Sequence, residues 1–335
     1  MIETVLGPIA PEDLGPTSMH EHLLCDVRAL AAPATEPAPS DPRVRQENLG
    51  FLRFNALALA DNLVLDDPDL AARELARVAP LGQRTVVDPT VWGFGGPAAA
   101  LPAVSRASGV QIVAGVGAYL GVTRPDWLRA LDVDALTERF VGALRDRLPG
   151  CEHRAGVVGM IGTSHPPTAE DEVVLRAAAT ATTTTGSALI ARTDPRFRAG
   201  PELVARLERE GVAPERVVLS NIDGYAPDLA PLRELAATGA TLKWCFGYEA
   251  PPRVGLTSAT DAQRIDALVA LLEEGHERQV LACGVWTKHA LRAYGGPGYD
   301  HLALRIVPAL RERGLDDDAV ADLLVGQPRR LLDRP

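Results

Sequence analysis

Ser18-Met19-His20-Glu21-His22-Leu23-Leu24 is the stretch whose reading decides the fold. Two histidines one residue apart face the same way only where the backbone is extended, because side chains alternate with period two along a strand. Extended, His20 and His22 share one side and are spaced to grip a single metal through two imidazoles. A lone His-x-His is met equally well by two hydrogen-bonded histidines inside a barrel, so the rest of the chain must decide. Downstream, apolar runs of strand length alternate with helical patterns, which predicts repeated βα units on a parallel sheet. The expected strands cover 19–24, 84–88, 111–116, 156–161, 188–193, 217–223, 241–246 and 280–285. Eight of them suit an α/β fold of one (β/α)8 TIM barrel, with functional groups at the C-terminal strand ends.

Expected helices fill 68–78, 97–108, 127–148, 169–184, 201–210, 228–238, 261–274 and 299–313. A run of alanine and threonine over 177–185 reads as a small-residue packing face. Residues 31–60 read as a long first loop over the barrel mouth, and 317–332 as a closing helix. No linker or repeat interrupts this order, so one domain over 1–335 is expected. Of the 335 residues 46% are hydrophobic and 23% charged, an ordinary globular balance. A net charge of −10 argues against nucleic acid and anionic membrane as partners. No apolar run approaches the ~20 residues of a membrane helix, and no signal-peptide pattern opens the chain, so a cytoplasmic location is expected. Cys25, Cys151, Cys245 and Cys283 lack zinc-site spacing and are expected as reduced thiols. Lys243 and Lys288 are the only lysines.

Further motifs sharpen the picture. Thr4–Ile9, Leu14-Gly15-Pro16-Thr17 and the His-Glu-His stretch open the chain, and 287–299, Thr-Lys-His-Ala-Leu-Arg-Ala-Tyr-Gly-Gly-Pro-Gly-Tyr, stands near its end. Together with Pro328-Arg329-Arg330-Leu331-Leu332 they resemble the phosphotriesterase-like branch of the amidohydrolase superfamily over nearly the whole chain. The resemblance implies a barrel hydrolase with two divalent metals. Its ligands would be the histidine pair on strand one, a bridging carboxylate or carboxylated lysine on strand four, histidines on strands five and six, and an aspartate on strand eight. This chain keeps His20 and His22 but has Met160, Arg192, Asn221 and Gly284 at the other four positions. A thioether suits zinc or manganese poorly, glycine offers no side chain, and arginine repels a cation. The expectation is no cofactor, and at most one weakly bound divalent ion on His20 and His22.

Freed from metal, His20 and His22 are candidate acid and base groups near neutral pH, with Asp223 assisting and Lys243 a candidate amine. Arg192 and Asn221 are candidate anion or oxyanion binders. An inward arginine must otherwise find an internal partner, for which Glu21, Asp194 and Asp223 are available. Trp92, Tyr119, Trp244 and Trp286 near strand ends are candidate pocket walls. The leading expectation is a metal-independent enzyme on a small anionic metabolite, by acyl or amide hydrolysis, elimination, cyclisation or isomerisation. The alternatives are a non-catalytic barrel that binds a ligand or partner, and a zinc-dependent lactonase or phosphotriesterase. A homodimer is compatible with all three.

Overall fold

The computed structural model describes residues 1–334 apart from 195 and 248–258. Eight parallel strands form one sheet: β1 Thr17–Ser18, β2 Thr85–Asp88, β3 Gln111–Val116, β4 Val157–Ile161, β5 Leu189–Arg192, β6 Val217–Ser220, β7 Thr241–Cys245 and β8 Gln279–Ala282. They stand in sequence order from β1 to β8. Strands β2, β4, β6 and β8 are buried at every position, as expected where the barrel interior lies on one side and helices cover the other.

The sheet is closed where β1 meets β8, and there the expected first strand is corrected. The paired segment is Thr17–Ser18, not 19–24. Beyond Ser18 the chain bonds alternately to both neighbours: Met19 N–H donates to Leu281 C=O (2.9 Å), Glu21 N–H to Val87 C=O (2.8 Å), and His22 N–H to Val285 C=O (2.8 Å). Gly284 N–H returns a bond to His20 C=O (2.8 Å). The histidine stretch is therefore extended but serves as the seam of the barrel.

A second correction falls on β6, which ends at Ser220. Asn221 takes a left-handed conformation (φ 64°) and Ile222–Tyr225 forms a 3₁₀ turn. Asp223 thus does not share a strand face with Asn221.

The outer layer is α1 Pro68–Ala76, α2 Leu101–Ser108, α3 Val133–Arg145, α4 Ala169–Thr185, α5 Gly200–Arg209, α6 Leu229–Ala236, α7 Asp261–Glu273 and α8 Val307–Glu312. A π turn over Leu302–Ile306 leads into α8. The helix expected over 127–148 is broken in two, because Asp132 caps α3 by accepting from Ala135 N–H. In α4 the residues Ala177, Ala178, Ala179, Ala181 and Thr182 are buried, as the small-residue face requires. The closing segment 317–332 is helical with a π turn at Asp322–Gly326. Residues 31–60 are tied down rather than loose: Val44, Leu52 and Leu59 form a small apolar cluster with Tyr294 of the loop after β8.

Candidate active site

At the top of the barrel β7 sends Lys243 inward, where its Nζ donates to His20 Nδ1. His20 Nε2 lies 2.9 Å from His22 Nε2, and His22 Nδ1 lies 2.8 Å from Thr90 Oγ1. Thr90 follows Asp88, whose Oδ1 accepts from Thr90 N–H at 2.9 Å and whose Oδ2 accepts from Leu23 N–H at 3.2 Å. A lysine ammonium donates and never accepts. That fixes one consistent direction for the protons: His20 carries its hydrogen on Nε2, His22 on Nδ1, and Thr90 turns its hydroxyl hydrogen toward Asp88. The result is a chain of hydrogen bonds from a buried cation to a buried carboxylate.

Burial sets the titration of this group. It pulls Lys243 down to about 8, with Cys245, Asp223 and Glu21 acting the other way. Burial and then the Lys243 charge push His22 down to about 3 and His20 well below its ordinary value. Both imidazoles are thus neutral, in agreement with the proton directions above. Asp88 is raised to about 6, again chiefly by burial.

Glu21, between the histidines, points the other way and pins the end of β8. Its carboxylate accepts from Ser18 Oγ (2.6 Å), Cys283 N–H (2.9 Å) and Val285 N–H (3.0 Å). Burial outweighs these bonds and raises it from 4.5 to about 7. The folded chain therefore holds this proton where the unfolded chain has released it, and the Glu21 contribution to stability falls as pH rises from about 4.5 to about 7. Below that window the contribution is fully present. The neutral His20 and His22 act in the opposite sense over part of this window, so the Glu21 contribution is read as a difference: the urea midpoint of wild type relative to Glu21→Gln should decline as pH rises across the window. A difference that is flat or rising there contradicts the assignment.

Arg192, at the end of β5, is half-buried, and its Nη2 lies 3.5 Å from Asp194 Oδ2. Of the three partners foreseen for it, Glu21 is engaged at β8, and Asp223 lies 3.9 Å from Arg264. Asp194 itself is claimed by Arg196, which donates Nε to Oδ1 at 2.9 Å and Nη2 to Oδ2 at 2.5 Å. Two guanidinium groups share one carboxylate, and Arg192 has the weaker share. Burial pushes the Tyr119 phenol up, opposed by the adjacent Arg192 guanidinium. Asn221 is half-buried and its Oδ1 accepts from Ser220 Oγ at 3.2 Å. Burial raises Asp223, opposed by Arg264 and Lys243.

The aromatic candidates divide. Tyr119 packs on Phe94, with ring centres 4.7 Å apart, and Phe94 packs on His22 at 5.6 Å. Trp244 is corrected as a pocket wall: next to the inward Lys243 it points outward, is fully buried, and donates Nε1–H to Gln279 Oε1 at 2.7 Å. Trp92 stacks on Phe140 of α3 at 5.4 Å, meets Trp127, and lines a cavity of about 400 Å³ that Asp88 and Thr90 also line. Trp286 is partly buried against the core. Sequence reasoning missed Asp88 and Thr90. Their signal was Asp-Pro-Thr at the end of a well-marked strand, where a carboxylate commonly accepts from the backbone two residues on.

The fold implies two divalent metals, and the donor set can be tested for them. Metal-bound imidazoles turn lone pairs to the ion, whereas here His20 Nδ1 accepts from Lys243 and His22 Nε2 accepts from His20. Met160, Arg192, Asn221 and Gly284 supply no replacement ligand. Among the described residues no group of three or more His, Cys, Asp or Glu side chains could hold a metal ion. These residues do not fit a binuclear centre.

The structure is thus a TIM barrel with a histidine pair at its seam and polar groups at its C-terminal strand ends, where barrels of this kind carry their functional groups. The chain belongs to the phosphotriesterase family, which it matches over residues 1–332. N-acetyltaurine hydrolase of Salmo salar is 34% identical over 342 residues, covering 99% of this chain and 97% of the relative. Among solved structures, a resiniferatoxin-binding protein from Rhodobacter sphaeroides superposes with a TM-score of 0.95 at 34% identity, over 99% of this chain and 94% of that one. The phosphotriesterase homology protein from Escherichia coli, complexed with phosphate in its active site, gives 0.79 at 25% identity over 96% and 99%. No helix among the described residues is long and apolar enough to cross a membrane.

Proposed function

We propose that this protein is a metal-independent hydrolase of a small amide carrying an acidic group, of the kind N-acetyltaurine represents. The observation that carries the reading is the lysine-headed chain Lys243–His20–His22–Thr90–Asp88, a resident cation with its own proton path where the family would have metal ligands. Full-length similarity to N-acetyltaurine hydrolases supports the substrate class, and Arg192 supplies the group to hold a sulfonate or carboxylate.

In this mechanism Asp223, partly exposed and raised by burial, takes a proton from water. The water oxygen bonds the amide carbon, and the carbonyl oxygen becomes an oxyanion facing the Lys243 end of the cluster and the Asn221 amide. As the C–N bond breaks, the leaving nitrogen receives a proton from the histidine chain, which Lys243 replenishes. The products are a carboxylic acid and an amine; Asp223 releases its proton to solvent and Lys243 regains one from solvent through the histidine chain, which resets the site.

A second reading, a barrel that binds such a ligand without turnover, is favoured by the near-complete burial of His20, His22 and Lys243. One assay separates them: N-acetyltaurine and N-acetyl amino acids, incubated in excess chelator, with the released amine quantified. Release above the blank is expected. Binding without release supports the second reading, and neither binding nor release defeats both.

A further inference from the structure

The loops after β3, β4 and β5 enclose a cleft of about 740 Å³ whose inner end is marked by Arg192 and whose outer walls include Leu120, Val122 and Phe197. Val122 and Phe197 are 63% and 47% exposed. Exposed side chains of that size on facing loops are a standing cost in water unless something apolar covers them. Phe197 is braced from both sides, by the His165 ring at 5.0 Å and by Arg196, whose guanidinium carbon stands 5.3 Å from the ring centre.

Among the described residues the charges around the cleft leave a cation to spare. Asp171 is held by the buried Arg124 at 2.5 Å, and Glu170 lies between Arg124 (3.9 Å) and Arg129 (3.6 Å). Asp194 is taken through two bonds by Arg196. Among the described residues Arg192 meets a carboxylate only at 3.5 Å, one that Arg196 already holds, and its other partner is the neutral Tyr119 phenol. One positive group at the inner end, and the apolar side chains of Leu120, Val122 and Phe197 on the walls leading away from it, describe an amphiphile, with the anion inward and the hydrocarbon outward.

We propose that the substrate's amine portion carries a large apolar side chain next to its acid, as in an N-acyl leucine or phenylalanine, with the carboxylate on Arg192 and the side chain in this cleft. This rests on the amide-hydrolase reading and narrows it. Bare taurine has nothing on its two-carbon arm to fill the volume or cover Phe197. Burying one CH2 is worth about fourfold in affinity, so even a partly covered side chain separates these substrates by an order of magnitude.

The test is calorimetric binding of simple carboxylates, acetate, 4-methylpentanoate and 3-phenylpropanoate, which involves no hydrolysis and so stands apart from the activity assay. Affinity should rise at least tenfold from acetate to 3-phenylpropanoate. Phe197→Ser and Val122→Asp, both at exposed positions and harmless to folding, should each remove most of that gain, while Arg192→Lys should weaken all the larger acids together. Equal affinities along the series, or a gain untouched by both cleft variants, overturns the proposal even if amides are hydrolysed. A graded series without hydrolysis upholds the cleft and removes the enzyme reading instead.

Discussion

Lys243→Met is expected to lower kcat/KM for the amide substrate by roughly 10²–10⁴, the range a positioned proton-transfer group supplies. The lysine is fully buried on β7 and heads the hydrogen-bonded chain through which His20 is resupplied with a proton. Methionine keeps the volume and removes the charge, and it leaves the buried His20 Nδ1 without its donor, a cost of about 1–3 kcal/mol. The fold should persist, as read from a single cooperative unfolding transition at a lower midpoint. His22 should then titrate higher, because the lysine charge is one of the two causes that hold it down. Wild-type turnover in Lys243→Met would remove the hydrogen-bonded chain from the mechanism.

Arg192→Lys should raise KM by roughly tenfold to a hundredfold with little change in kcat, since a charge-assisted hydrogen bond is worth about 1.5–3 kcal/mol and lysine cannot reproduce the bidentate fork. The geometry sharpens the two roles open to Arg192 from the sequence, anion holder or structural ion pair. Were Arg192 the sole partner of Asp194, its loss would orphan a buried carboxylate and cost about 3–5 kcal/mol. Arg196 already holds Asp194 with two short bonds, so Arg192→Met should leave the melting temperature near that of wild type. Substrate saturation curves and thermal unfolding on the same two variants check both halves. A large loss of stability with unchanged KM would make Arg192 a structural residue.

The barrel was legible because its strands are short apolar runs bounded by turn residues, and a parallel strand buried on both faces requires such a run. The third strand matches its expected limits at Gln111–Val116. Errors arose where long-range bonds override local pattern. His20-Glu21-His22 reads as strand interior, yet it lies past the ladder and is stitched to Val87, Leu281 and Val285, partners remote in sequence. Asn221 reads as strand and takes a left-handed turn, a conformation asparagine tolerates better than most residues. Trp244 was misplaced although period two was available: with Lys243 inward, its neighbour has to face the helices. Asp132 was a readable cap that should have divided the helix expected over 127–148. The lysine-to-aspartate chain joins Lys243 in the middle of β7 with residues at and beyond the ends of β1 and β2, and no local signal connects them.

Whether the Lys243 cation stands in for the family's metals is read most directly from the metal dependence of hydrolysis. The direct measurement is zinc titration of chelator-stripped protein, with amide hydrolysis followed at each addition. The account predicts fewer than one tightly bound zinc per chain and hydrolysis that is undiminished in chelator and unresponsive to zinc. Two stoichiometric zinc ions, with hydrolysis lost in chelator and restored by their addition, would contradict it.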